Sequence, residues 1–163
     1  MSRTVVGLMG PGRDAGEEEV SAAFELGRLI ALEGWALLSG GRAAGVMDAA
    51  MRGAKEAGGL TIGILPTADT TGVSEAVEIA IVTGMGQARN NINVLSSRVV
   101  FACGMGAGTA SEIALALKAG RKVILLNCNR EGEAFFKSLG KESVFVVERP
   151  DEAVAIARKL IED

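Results

Sequence analysis

Short apolar runs, each closed by a turn and several leading through glycine into a segment of helical period, recur along this sequence. That alternation points to βαβ units, and hence to a parallel sheet covered by helices. The first run, Thr4 to Met9, is closed by Gly10-Pro11-Gly12. A helix from about Gly16 to Glu33 follows, with Val20, Ala23, Phe24, Gly27 and Ala31 on one face. Glu17, Glu18 and Glu19 suit its positive N-terminus. Trp35 to Leu38 reads as a second strand, ending in Ser39-Gly40-Gly41. The next helix, roughly Gly45 to Ala57, is lined by Ala49, Ala50, Gly53 and Ala54, small residues that permit close packing on a sheet or a partner helix. Asp48 and Lys55 fall on what reads as its solvated face.

Leu60 to Leu65 is a buried third strand stopped by Pro66, and Thr67 to Ala76 reads as loop. Val77 to Thr83 reads as a strand, Gln87 to Leu95 as a helix, Arg98 to Cys103 as a strand and Thr109 to Ala119 as a helix. Lys122 to Asn127 and Val144 to Val147 follow as strands. The last helix starts near Pro150 or Asp151 and turns Ala153, Val154, Ala157, Leu160 and Ile161 inward. No linker, repeat or low-complexity segment interrupts the pattern, so residues 1–163 are expected to form one domain.

The 163-residue length is enough to bury a core without disulfides or a structural metal. The sequence holds 22 glycines against 3 prolines, and glycine at that density belongs in turns and close-contact loops. Histidine is absent, which removes serine–histidine and cysteine–histidine hydrolase chemistry and the commonest zinc ligand. Tyrosine is absent too, so any catalysis would rest on carboxylates, Arg, Lys, Ser/Thr and backbone dipoles. No metal site is expected.

A net charge of -3 with no basic tract argues against a nucleic-acid partner. The opening MSRTVVGLMG reads as a strand rather than a signal peptide. No apolar run approaches the ~20 residues that span a bilayer. Cys103 and Cys128, far apart and without CxxC spacing, read as reduced core thiols, and a cytoplasmic location is expected.

In a parallel sheet every strand's C-terminal end points to one edge, and ligands bind there. The unusual loops of this chain all follow strands. They are Gly10-Pro11-Gly12-Arg13, Ser39-Gly40-Gly41-Arg42, the turn from Gly84 through Gly86 to Arg89 and Asn90, and Gly104-Met105-Gly106-Ala107-Gly108-Thr109. Glycine lets main-chain N–H groups approach an anion, and the helix N-terminus that follows adds a favourable dipole. Arg13, Arg42 and Arg89 supply positive charge. No GKS or GKT follows any loop, so there is no Walker A motif, and Gly7, Gly10 and Gly12 have the wrong spacing for GxGxxG.

Thr109-Ala-Ser-Glu112 fits a capping box. Glu112 also reads as a carboxylate beside a phosphate loop, able to hydrogen-bond a ribose hydroxyl or stabilise a positive sugar centre. Arg89 opens a helix, where a cation is unfavourable unless an anion accompanies it; the alternative is a solvated surface arginine. Asn90, Asn91 and Asn93 beside it either line a cleft or face water.

The segments SGGRAAGVMDAA, GMGQARNN and GMGAGTASEIALALKAGRKVILL resemble the Rossmann-like superfamily that carries a lysine decarboxylase label and includes the "lonely guy" phosphoribohydrolases and the molybdenum-cofactor carrier proteins. The resemblance implies a Rossmann-like α/β fold, a three-layer sandwich with a central parallel sheet. The phosphoribohydrolases carry a PGGxGTxxE motif and an Arg-Lys pair. Gly106, Gly108, Thr109 and Glu112 fit, and Arg89 looks like the arginine. Gly104 stands for the proline, Met105 for the first glycine, Asn90 for the lysine and Ala88 for the usual acidic residue.

Ala-Arg-Asn and Gly-Thr-Ala-Ser-Glu-Ile-Ala-Leu-Ala are more similar to the carrier branch. That branch implies a binding or carrier protein for a phosphate-bearing molecule, a molybdenum-cofactor-like pterin or a nucleotide, with no cofactor required for activity. The alternative is a nucleoside 5'-monophosphate phosphoribohydrolase, with Arg89 and Glu112 acting on the N-glycosidic bond. DNA handling, known for a related fold, is a weaker third. Lysine decarboxylation finds no pyridoxal-phosphate lysine setting here. The resemblance also implies a homo-oligomer, a dimer or tetramer.

Overall fold

Seven strands, β1 (Val5–Met9), β2 (Ala36–Ser39), β3 (Thr61–Leu65), β4 (Ile79–Val82), β5 (Val99–Cys103), β6 (Lys122–Leu126) and β7 (Val144–Val147), pair in parallel throughout. Their order in the sheet is β4-β3-β2-β1-β5-β6-β7. The computed structural model describes residues 2–162. The helices are α1 (Glu17–Leu32), α2 (Gly45–Glu56), α3 (Arg89–Leu95), α4 (Ala107–Lys118), α5 (Arg130–Gly140) and α6 (Pro150–Glu162). This is the expected Rossmann-like three-layer sandwich.

The period-2 alternation of the strands assigns the layers. Val99, Phe101 and Cys103 of β5, with Ile124 and Leu126 of β6, face the core shared with α1, α2 and α6. Val100 and Ala102, with Val123 and Leu125, face the core shared with α3, α4 and α5. Both faces of the central strands are therefore apolar, as a helix-covered parallel sheet demands. The sequence winds outward from β1 to β4, then returns to the other side of β1 at β5. The loops after β1 and β5 thus flank the crevice at the topological switch point.

The α1–α2 contact is unusually close. A Cβ at Gly53 would lie 1.9 Å from Phe24 O, and one at Gly27 would lie 2.0 Å from Ala50 O. The small-residue face around Gly53 is therefore consumed inside the molecule by α1, and it lends no support to a contact between copies. Of the expected α1 face, Ala23 and Gly27 are buried and Val20, Phe24 and Ala31 pack half-buried on the core, while Leu26 and Ile30 are buried in addition. The difference arises because α1 meets both the sheet and α2, so its two contact faces split the apolar residues.

Other departures are local. Helix α5 lies between the expected strands β6 and β7, where no element is expected from the sequence, with the Asn129 side chain accepting from Gly132 N–H at 2.9 Å as its N-cap. Strand β4 is shorter than expected and exposed at all four positions. Asp48 and Lys55 do more than face water. Asp48 accepts from Ser74 Oγ at 2.6 Å and Arg52 Nε at 2.7 Å, and Lys55 Nζ donates to Glu75 O at 2.7 Å. Together they fasten the segment after β3 to α2.

Among the described residues no helix is long and apolar enough to cross a membrane. Cys103 and Cys128 are free thiols, and burial pushes both up to about 12.

Candidate functional site

The C-terminal edge of the sheet encloses a cavity of about 650 Å³ at the switch point. All four glycine-rich loops reach it. From the loop after β1 come Gly10, Gly12 and Arg13, and from the loop after β2 come Gly40 and Arg42. Arg89 and Asn90 enter from the start of α3. Gly106, Ala107, Gly108, Thr109 and Glu112 enter from the start of α4.

The remaining expected site residues support the walls without lining them. Ser39 is fully buried, and its Oγ accepts from Gly41 N–H at 3.0 Å. Gly41 packs on Gly63, and Gly104 packs against Glu19 and Pro11. Gly86 is exposed, in the 3₁₀ turn Gly86–Ala88 before α3.

Asp14, Glu19, Met47, Pro66, Gln87 and Met105, none of them among the expected binding residues, also line the cavity. Met105 lies inside one of the loops already singled out. Met47 is in the first turn of α2, where a methionine reads as core. Glu19 reads as a dipole partner and does act as one, with Oε2 accepting from Gly16 N–H at 2.8 Å.

Helix α4 aims its N-terminus at the cavity. Its cap is Gly106, and the first intrahelical bond of the turn is Ala110 N–H to Gly106 O at 2.8 Å. The N–H groups before it have no carbonyl one turn back to satisfy them. This corrects the capping-box reading: Thr109 is already within the helix. Glu112 reaches across to α3, where its Oε1 accepts from Asn93 Nδ2 at 2.9 Å. The box fails because the helix begins at Ala107, two residues earlier than the Thr109 start.

Arg89 is only 7% exposed, so the surface-arginine alternative is overturned. One guanidinium nitrogen, Nη1, donates to Asn90 Oδ1, and Asn90 Nδ2 donates to Ser111 Oγ at 3.2 Å. Its Nε is buried without a partner, and so is Thr109 Oγ1. Of the three asparagines, Asn90 and Asn93 are buried and Asn91 is exposed. Gly40 fits tightly against this group: a Cβ there would lie 2.7 Å from Arg89 Nη2 and 2.9 Å from Met47 Sδ.

The electrostatics follow from burial. Desolvation lowers the Arg89 pKa, Glu112 opposes that change, and Arg42 adds to it; an arginine nonetheless stays cationic. Burial raises the Glu112 carboxyl above the usual carboxylate range, against the Asn93 hydrogen bond and then the charge of Arg89. No ion pair closes between Arg89 and Glu112. Arg13 and Arg42 are exposed at the mouth.

A parallel α/β sheet whose switch-point crevice is walled by glycine loops and a helix N-terminus defines the class: a Rossmann-like α/β protein. Within it, residues 3–154 match the SLOG cluster4 family, and the chain belongs to that family. It is similar to a molybdenum cofactor binding protein from the phototrophic bacterium Rippkaea orientalis, at 53% identity and a TM-score of 0.97 over 99% of both chains. It is also similar to the molybdenum cofactor carrier protein of Chlamydomonas reinhardtii, at 52% identity and a TM-score of 0.94, covering 99% of this chain and 100% of that one. An uncharacterised protein of Archaeoglobus fulgidus is 40% identical over 149 residues, 91% of each sequence. The resemblance drawn from the loops to the carrier-protein branch therefore holds.

Proposed function

We propose that this protein is a carrier that holds a phosphate-bearing ligand, the molybdenum cofactor, in the switch-point cavity and does not turn it over. The observation that carries the reading is that two residues lining the cavity, Arg89 and Thr109, each keep a buried polar atom, Nε–H and Oγ1, without a partner. Native proteins rarely leave such groups unsatisfied, because each costs about 1–3 kcal/mol. Thr109 lies in the first turn of α4 and Arg89 lines the same cavity, where the main-chain amides and dipole of the α4 N-terminus favour an anion. A phosphate seated there would accept from the amides, the threonine hydroxyl and the arginine together. The cavity's volume lies within the range of small-molecule sites. The likeness to two proteins described as binding or carrying the molybdenum cofactor favours that cargo.

The test is native mass spectrometry of the purified protein after incubation with the molybdenum cofactor, run beside an incubation with AMP. Retention of one cofactor per chain with no free adenine released supports the carrier. Release of adenine that stops in Glu112→Ala overturns it in favour of a phosphoribohydrolase.

The reading places the protein in the cytoplasm, with residues 1–163 acting as one binding domain and copies assembling as a dimer or tetramer. Since α1 covers the small-residue face of α2, that assembly would use another surface. Light scattering that gives a monomer at working concentration would refute it.

A further inference from the structure

Asn93 is wholly buried on α3, one turn beyond Arg89, and lies behind the cavity wall rather than on it. Its Nδ2 donates to Glu112 Oε1 at 2.9 Å, and its main-chain carbonyl accepts from Ser97 Oγ at 2.7 Å. Its Oδ1 has no partner. Burying an amide with its acceptor unused is unfavourable, and an apolar side chain would fill the same space without that penalty. The one thing the amide supplies is a donor to Glu112, a carboxyl that is itself nearly out of water.

We infer that Asn93 is a positioning residue: its amide N–H favours the ionised form of Glu112 and turns Oε1 onto α3, leaving the second oxygen to meet a hydrogen-bond donor of the ligand. This deepens the carrier reading and rests on it for its consequence, because the aim of Glu112 matters only if the cavity binds a ligand. The charged groups around the same cavity are Arg89 on α3, Arg42 after β2, Arg13 and Asp14 after β1, and Glu19 on α1. Of these Arg89 also favours the ionised Glu112, alongside the Asn93 hydrogen bond. A neutral amide thus works against desolvation.

The test needs no ligand, so it stays separate from the fate of the carrier reading. The Glu112 carboxyl carbon is followed by ¹³C NMR against pH in the full chain, with its signal assigned by Glu112→Gln. In Asn93→Leu the titration midpoint should rise by about one pH unit or more, because the donor is gone while burial remains. In the isosteric Asn93→Asp it should rise as well, since an acceptor and a like charge face Glu112. A purely structural Asn93 would lower thermal stability and leave the midpoint in place. A midpoint within ~0.2 pH units of wild type in either folded variant overturns the inference. Should both variants fail to fold, the wild-type Asn93 side-chain amide signals serve instead. They should shift with the Glu112 midpoint, and their indifference to that titration would equally sink the idea.

Discussion

Two side chains, Arg89 and Glu112, concentrate the chemistry of the cavity, and their burial makes each expensive to keep. Glu112 has a folded-state pKa above its unfolded value, so the native state binds its proton more tightly. Its stabilising contribution is complete below the unfolded pKa, near 4.5, and is lost as pH rises through the folded pKa. Each tenfold difference in proton affinity corresponds to about 1.4 kcal/mol. Glu112→Gln keeps the acceptor for Asn93 and removes the charge. It should therefore flatten the fall in stability above that pH and make the protein at least as stable as wild type at pH 8, by urea denaturation. A variant more than about 1 kcal/mol weaker at pH 8 would contradict this. Gly40→Ala tests the neighbour. Its new methyl would press on Arg89 and Met47 side chains rather than on backbone, so stability should fall by only about 1–2 kcal/mol. Binding of a phosphorylated ligand, read by calorimetry, should weaken about tenfold as the guanidinium is displaced. The loops and Arg89 were legible in the sequence because glycine after a strand and arginine at a helix start are local signals. The tie between Asn93 and Glu112 was not, since it joins residues on separate helices through a fold the sequence shows only indirectly.

Among the elements, α2 shows how one local pattern can serve two different tertiary ends. Its row of Ala49, Ala50, Gly53 and Ala54 fits either a partner subunit or a neighbouring helix, and only the fold shows that α1 takes it. Gly53→Ala drives a methyl into the Phe24 carbonyl, a backbone atom that cannot step aside alone. It should destabilise the protein by about 2–4 kcal/mol in urea unfolding, and a loss below about 0.5 kcal/mol would show that the helices separate freely. Helix α5 carries Phe135, Phe136 and Leu139 at helical spacing, but only Phe136 is buried, so its apolar pattern does not mark a core-facing stripe. The boundaries of α4 moved for a related reason. Ala107 and Gly108 carry no signal of their own, so Thr109 stood out as a cap although the chain had already turned helical.

For the whole molecule, the sheet order turns separate weak signals into one site, and it also sets how charge meets the ligand. The chain carries a net charge of -3, so the anionic ligand proposed for the cavity would approach against the overall field and depend on local cations at the mouth. Arg13 and Arg42 are exposed there, whereas Arg89 is buried within. Exposed charges act mainly on the rate of encounter and are screened over about 8–10 Å at physiological salt. Buried charges act mainly on the rate of escape, because their loss leaves the bound anion unpaired. Arg13→Ala and Arg42→Ala should therefore slow association by about two- to five-fold at low salt and lose that effect near ~0.5 M NaCl. Arg89→Ala should speed dissociation by tenfold or more at every salt concentration. Stopped-flow binding of a fluorescent nucleotide monophosphate across a salt series separates the two. If all three variants changed only the association rate, Arg89 would not touch the ligand, and the anion would sit at the mouth rather than against α4.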